Sequence, residues 1–492
     1  MALVIIAMLT LALTAYYQTL VPKYRGMYQA ASWQEALHGA EAGADNVIRM
    51  LNSWATTVSD PDSYPWTSNG WTVTDSTYAQ NGERTLNMAN LPNLGGTNHV
   101  RVTNVAVDVY TREGIGATPS RNPWFRIRST GRADLPGTSV TSDSRDAELR
   151  RMKLAAKSSG AADPHVTRTV ELVMRPRYRF SRAIVTLTDL VLGNSSNWVV
   201  DSFDSEDTAK SNPGTSAGGI YPSSSPSKIQ SNGDIASAEE RPSNDPYGAI
   251  IDGNGAVVKG DVQTYGGDDP STTAHENVSA NSNMDQSRIT DDFDEDIVAP
   301  TEPTWTSWNY QGSSPSSFTT GTKASPNRYV ITGNLGTFAV TAPAAGTTGY
   351  IEIIVTGNLS TGNGGSAGIT IPPNVYATIY VRGNVDFGNG DINANSSSSK
   401  VAAHLSVIGT STATNATYSA SGNAEQILTF NGPAYAVTLN GTVETSGAFI
   451  AKSFQINGGG NGGFHYDEAL GRGGAIAGWQ VASYFEDTRG NL

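Results

Sequence analysis

The first twenty-two residues, MALVIIAMLTLALTAYYQTLVP, carry no charged side chain, and Lys23 is the first charge in the chain. A stretch this apolar must be taken out of water by lipid or by other protein, which constrains the fold more than any other feature. From Met1 to Val21 it has about the length of a membrane-spanning helix, and Thr10, Thr14, Gln18 and Thr19 are tolerated in such a helix. A cleavable signal peptide would open with basic residues, and none precede this run. The helical pattern continues beyond Lys23. Met27, Ala31, Ala36, Ala40, Gly43, Val47, Met50, Leu51 and Trp54 recur near helical spacing, predicting one helix over residues 1–54. At 1.5 Å per residue it extends roughly 80 Å. Pro22 lacks an amide hydrogen and crowds the preceding turn, which predicts a kink or local unwinding near residues 15–22.

The remainder is polar and acidic. A net charge of −13 and a pI near 4.9 leave no basic surface for phosphates, which argues against nucleic-acid binding. The absence of cysteine excludes disulfides, thiolate catalysis and Cys-ligated zinc. HVRVTNVAVDVYTR, WFRIRSTGRA and TRTVELVMRPRYRF alternate apolar and polar residues at period two and predict a small antiparallel head on the helix. Residues 202–247 and 301–327, rich in Ser, Gly, Thr and Pro, read as surface excursions.

The later half repeats. YVITGNL, IIVTGNL, IYVRGNV and LSVIGTS align on Gly333, Gly357, Gly383 and Gly409, spaced by 24, 26 and 26 residues. VVKGDV at Val257–Val262 and GAFIAKSFQING at Gly447–Gly458 look like degenerate relatives. A β-branched run closed by a turn glycine at this period predicts a parallel β-helix or related solenoid, with a Greek-key sandwich as the alternative. The expected fold is therefore α+β followed by all-β. It divides into a helix (1–54), an α+β head (55–200), a Ser/Gly/Pro-rich excursion (201–250) and a β-solenoid domain (251–492).

The uncharged helix with Pro22, its amphipathic continuation, and the segments GAEAGADNVIRMLN (Gly39–Asn52), WFRIRSTGRA and TRTVELVMRP together resemble the type IV pilins and type II secretion pseudopilins, in particular the PilX/GspK-like subgroup. The resemblance covers about the first 180 residues; more loosely, NGGGNGGFHYDEALGR resembles the closing segment of large PilX-like proteins that carry a solenoid. It implies a structural subunit, processed by a prepilin peptidase to begin at Met1, N-methylated there, and held in the inner membrane before an assembly machine builds it into an extracellular filament. Partners would be further copies or other pilins. Met1, Ile5 and Leu9 would pack the helix, Pro22 would supply its meltable segment, and Ala40 to Gly43 would allow close helix approach. Ile5 stands where most major pilins have glutamate, a trait of many minor or tip components. An ordinary single-pass anchor is the plainer alternative for the helix.

No motif carries catalysis. His38, His99, His165, His275, His404 and His465 are scattered and read as satisfied surface groups, and the HYDE segment at His465–Glu468 reads as a cap rather than acid/base machinery. The repeats hold few carboxylates, Glu352, Asp386, Asp391 and Glu444, at unmatched positions, so an enzyme is not expected. DDFDED offers Asp292, Asp294 and Asp296 as weak calcium candidates, but it lacks the glycine of an EF-hand loop and reads as a solvated acidic loop. No other cofactor is implied. Trp66, Trp71, Trp305, Trp308 and Tyr310 either pack the excursions down, the reading preferred here, or bind glycans. Three functions follow in order: a filament subunit displaying a solenoid, a low-copy tip adhesin contacting glycans or cell surfaces, and a membrane-anchored carbohydrate-active enzyme.

Overall fold

The structure is a computed structural model, describing residues 2–57, 64–73, 83–86, 99–111, 123–134, 165–193, 198–212, 220–239, 249–265, 277–279, 281, 283–362, 368–457, 462–473 and 476–487. It contains two compact units: Met1–Arg179 together with Ala475–Leu492, and Phe180–Gly474.

The first unit is a helix on an antiparallel sheet. Helix α1 (Ala2–Thr57) runs without interruption through residue 22, so the expected unwinding does not occur. One proline removes a single amide donor and need not break a helix of this length. The sheet contains β1 (Trp71–Val73), β2 (Glu83–Leu86), β3 (Val100–Thr111), β4 (Pro123–Asp134) and β5 (His165–Tyr178), and is completed by the C-terminal strand Ile476–Asp487, which pairs with β5. Ala36, Ala40, Ala44, Val47, Leu51 and Ala55 recur every three or four residues and are buried against this sheet. Small side chains let the helix sit low. A Cβ on Gly131 of β4 would strike the backbone of Ala36 and Ala40, and one on Gly43 would strike Ser129 Oγ.

The second unit holds a twenty-stranded sheet whose strands pair in parallel. Tyr310, Tyr329, Ile353, Ile379, Val407, Phe430 and Phe449 are successive partners down one column. The column continues from Phe449 to Ile184, Ile235, Val262 and Ile289. The chain therefore enters the stack at its middle, builds outward to Ile289, crosses to the far end at Tyr310 and returns until its last rows lie on its first. Glu295 on Arg182 (2.6 Å) and Glu302 on Arg382 (2.7 Å) hold the crossing segment along the way.

The repeat motif now has a physical cause. Asn334 Oδ1 accepts from the amide of Asn358 (2.8 Å), and Asn358 Oδ1 from that of Asn384 (2.9 Å). The glycines before these asparagines stack carbonyl over amide, and a Cβ on Gly357 would come within 2.7 Å of the Gly333 carbonyl oxygen. Gly333 additionally has φ +105°, which favours glycine. Gly409 differs from its expected role as a turn. It ends the strand Leu405–Gly409 and leaves room for the Tyr435 ring, whose hydroxyl donates to the carbonyls of Val381 (2.8 Å) and Gly383 (2.6 Å).

Two boundaries differ from the sequence reading. The 201–250 segment is not a separate excursion: Val199–Phe203 and Ile235–Ser237 are strands of the parallel sheet, with Ile235 and Ala236 fully buried. Each row needs only two or three inward apolar residues, which a polar composition conceals. The C-terminal strand belongs to the head, because pairing with β5 is a contact across the whole insertion.

Candidate functional site

The front half of α1 carries most of the exposed large hydrophobic side chains among the described residues. Ile5, Ile6, Met8, Leu9, Leu11 and Leu13 are all more than half exposed, Leu11 at 75%, and Tyr16, Tyr17, Tyr24, Met27 and Tyr28 extend the surface. Thr10, Thr14 and Thr19 return their hydroxyls to carbonyls one turn back, which hides their polarity. Among the described residues no helix is long and apolar enough to cross a membrane. Met1 lies outside the described residues, as do the side chains of residues 2–4, Val21, Pro22 and Arg25. Ile5 and Leu9 are thus on the free surface, whereas Ala40 and Gly43 are buried on the sheet of their own chain.

A second cluster lies where the last row meets the first. His465, 5% exposed, bonds through Nδ1 to Asp201 Oδ1 (2.7 Å) and through Nε2 to Glu444 Oε2 (2.8 Å). Tyr221 stacks on the imidazole at 3.5 Å and donates to Asp201 Oδ2 (2.9 Å), and Lys259 Nζ adds a 3.3 Å contact to the same oxygen. Burial alone would lower the pKa of His465, but the hydrogen bonds and charges of Asp201 and Glu444 outweigh it and push it up to about 9. Below that pKa the ring carries two N–H groups, one facing each carboxylate, with neither nitrogen free to take a proton from a substrate. Nearby, burial pushes Asp467 up to about 6, while Glu468 accepts from Ser202 Oγ (2.9 Å) and Asn232 Nδ2 (2.8 Å). The expectation of surface histidines therefore fails at His465. Its partner Asp201 is 264 positions away, a distance at which the sequence carries no signal. His38 and His99 are exposed as expected, and His275 lies outside the described residues.

The acidic run is the start of the crossing segment. Phe293 is buried under the Arg182 guanidinium at 4.8 Å, and Asp292 Oδ1 accepts from Thr290 Oγ1 (2.5 Å) and Gln263 Nε2 (3.2 Å). Asp294 and Asp296 are exposed, and among the described residues no group of three or more His, Asp or Glu could hold a metal ion. Among the described residues, Asp292, Asp294 and Asp296 are therefore not gathered into one cluster.

The tryptophans divide. Trp66 and Trp71 are buried in the head, edge to face at 5.4 Å, as the packing reading requires. Arg328 lies over Trp305 at 5.5 Å, while Tyr310 (36%) and Trp308 (46%) stay exposed, and Trp308 lines a cavity of about 220 Å³ with Ser307, Asn309, Ser325, Pro326 and Arg328.

A family model described as a domain of unknown function (DUF7305) matches residues 323–472, within the parallel-sheet unit. No curated protein matches the chain. Among solved structures, the crystal structure of the competence-associated pilin ComZ from Thermus thermophilus is similar at 13% identity and a TM-score of 0.27, over 93% of this chain and 97% of that one.

Proposed function

We propose that this chain is a structural subunit of an extracellular, pilus-like filament. The observation that carries the reading is the division of α1: its back half is buried on its own sheet, and its front half exposes an apolar surface that only lipid or other protein can cover. In this reading the helix waits in the inner membrane, is processed by a prepilin peptidase, and passes into a filament of like helices through the assembly machine. Ile5 and Leu9 then pack against neighbours, and Pro22 is where the helix yields. The parallel stack is a β-solenoid carried on the outside, and no reaction is catalysed.

Mass spectrometry of sheared extracellular filaments tests the reading. An abundant chain with a methylated Met1 is expected; its absence from filaments would overturn the proposal. The exposure of Trp308 and Tyr310 favours a second reading, a low-copy tip subunit binding glycans or cell surfaces, marked by trace amounts beside a smaller pilin.

A further inference from the structure

The head has its own unsatisfied edge. The C-terminal strand is the outermost strand of its sheet, pairing with β5 on one side and with no strand on the other among the described residues. Its distal half leaves Val481 (48%), Tyr484 (50%) and Phe485 (59%) exposed. Long apolar edges invite association. Val481 and Tyr484 pair with Met174 and Leu172, buried residues of the face that carries α1, and the Tyr484 hydroxyl donates to Glu41 of α1 (3.1 Å). Phe485 pairs with Glu171 and so points to the opposite face. The surface is thus an apolar edge flanked by the carboxylates of Glu41 and Asp45, the latter exposed.

One segment of the same chain matches it in both respects. The front of α1 is uncharged up to residue 22 and is followed by the exposed cation Lys23. The two surfaces lie on different parts of the chain and differ in shape, so their union is heterologous and continues from copy to copy instead of closing. We propose that the edge Val481–Phe485, with the acidic flank of α1, receives the exposed front half of α1 from a second copy, with the apolar run on the aromatic edge and Lys23 toward Glu41 and Asp45. This rests on the subunit reading and names the surface through which it is realised.

The chain has no cysteine, so introduced pairs report cleanly. Val481→Cys and Leu13→Cys chains, co-expressed and oxidised in assembled filaments, are expected to give a mixed disulfide-linked dimer, identified by its linked peptides, whereas Ser397→Cys with Leu13→Cys is not. Asp45→Lys and Lys23→Glu should each lower the yield of that dimer roughly fivefold, the size of one exposed ion pair, and together restore it, with head melting unchanged throughout. Filaments that contain the chain but give no 481–13 link, a link to another protein, or no recovery in the double variant would overturn the proposal and leave the subunit reading intact. A wild-type chain that never enters filaments removes both.

Discussion

His465 Nδ1 lies 2.7 Å from Asp201 Oδ1, joining the last row of the parallel stack to its first. Phe449 on Ile184 and Phe464 on Val200 surround this bond with apolar contact. The stack begins and ends at its middle, so this seam has no covalent continuity and is held by backbone ladders together with these side chains.

His465→Gln is expected to destabilise the second unit by about 3–5 kcal/mol, because it takes from buried Asp201 the nearer of its two cations and leaves only Lys259 at 3.3 Å. The folded-state pKa near 9 is above the ordinary 6.5, so the stabilisation is complete below pH 6.5 and is lost as pH rises toward 9. Urea melts between pH 6 and 10 check this: the wild type should weaken across that window more than the variant does.

Gly383→Ala should cost about 1–3 kcal/mol, since its Cβ would press on the Gly357 carbonyl and Asn358. Gly336 is the control. Its added Cβ would meet only Ser360 O, at 3.8 Å, so Gly336→Ala should stay within about 0.5 kcal/mol of wild type in the same melt.

In the head, Gly131→Ala forces α1 away from β4 and should cost about 3 kcal/mol or more. Tryptophan fluorescence reads this, since Trp54, Trp66 and Trp71 all lie in the head core. A variant that melts like wild type would show that the helix has room to move.

Deleting residues 1–28 should leave head stability within about 0.5 kcal/mol of wild type, because the described side chains of this segment, apart from Leu20, are exposed. Self-association in detergent-free buffer should disappear. Persistent association would assign it to another surface.

Trp66→Ala should cost about 3–5 kcal/mol and Trp308→Ala almost nothing, as judged by thermal melting. If Trp308→Ala also unfolds the second unit, the exposed aromatics are packing groups and the glycan reading loses its support.

What could be read from the chain was what repeats locally. The α1 spacing of Ala36, Ala40, Ala44 and Val47 places one helix face on a partner, and the Gly-Asn period of 24 and 26 residues places one row on the next. Gly409 shows the limit. It fits the period, yet its glycine is required by the ring of Tyr435 from a neighbouring row. The Asp292, Asp294 and Asp296 alternation likewise looked like ligand spacing, whereas the segment is positioned by Phe293 and Glu295.

The sequence by itself determined the uncharged helix, the alternating strands of the head and the period of the stack, because each follows from side-chain patterns within a few turns or one repeat. Tertiary structure alone decided that the C-terminal strand completes the head, that the stack is entered at its middle, and that His465 is a buried cation. Those outcomes depend on pairs such as Tyr178 with Ile476 and Asp201 with His465, whose attraction exists only once the intervening chain has folded.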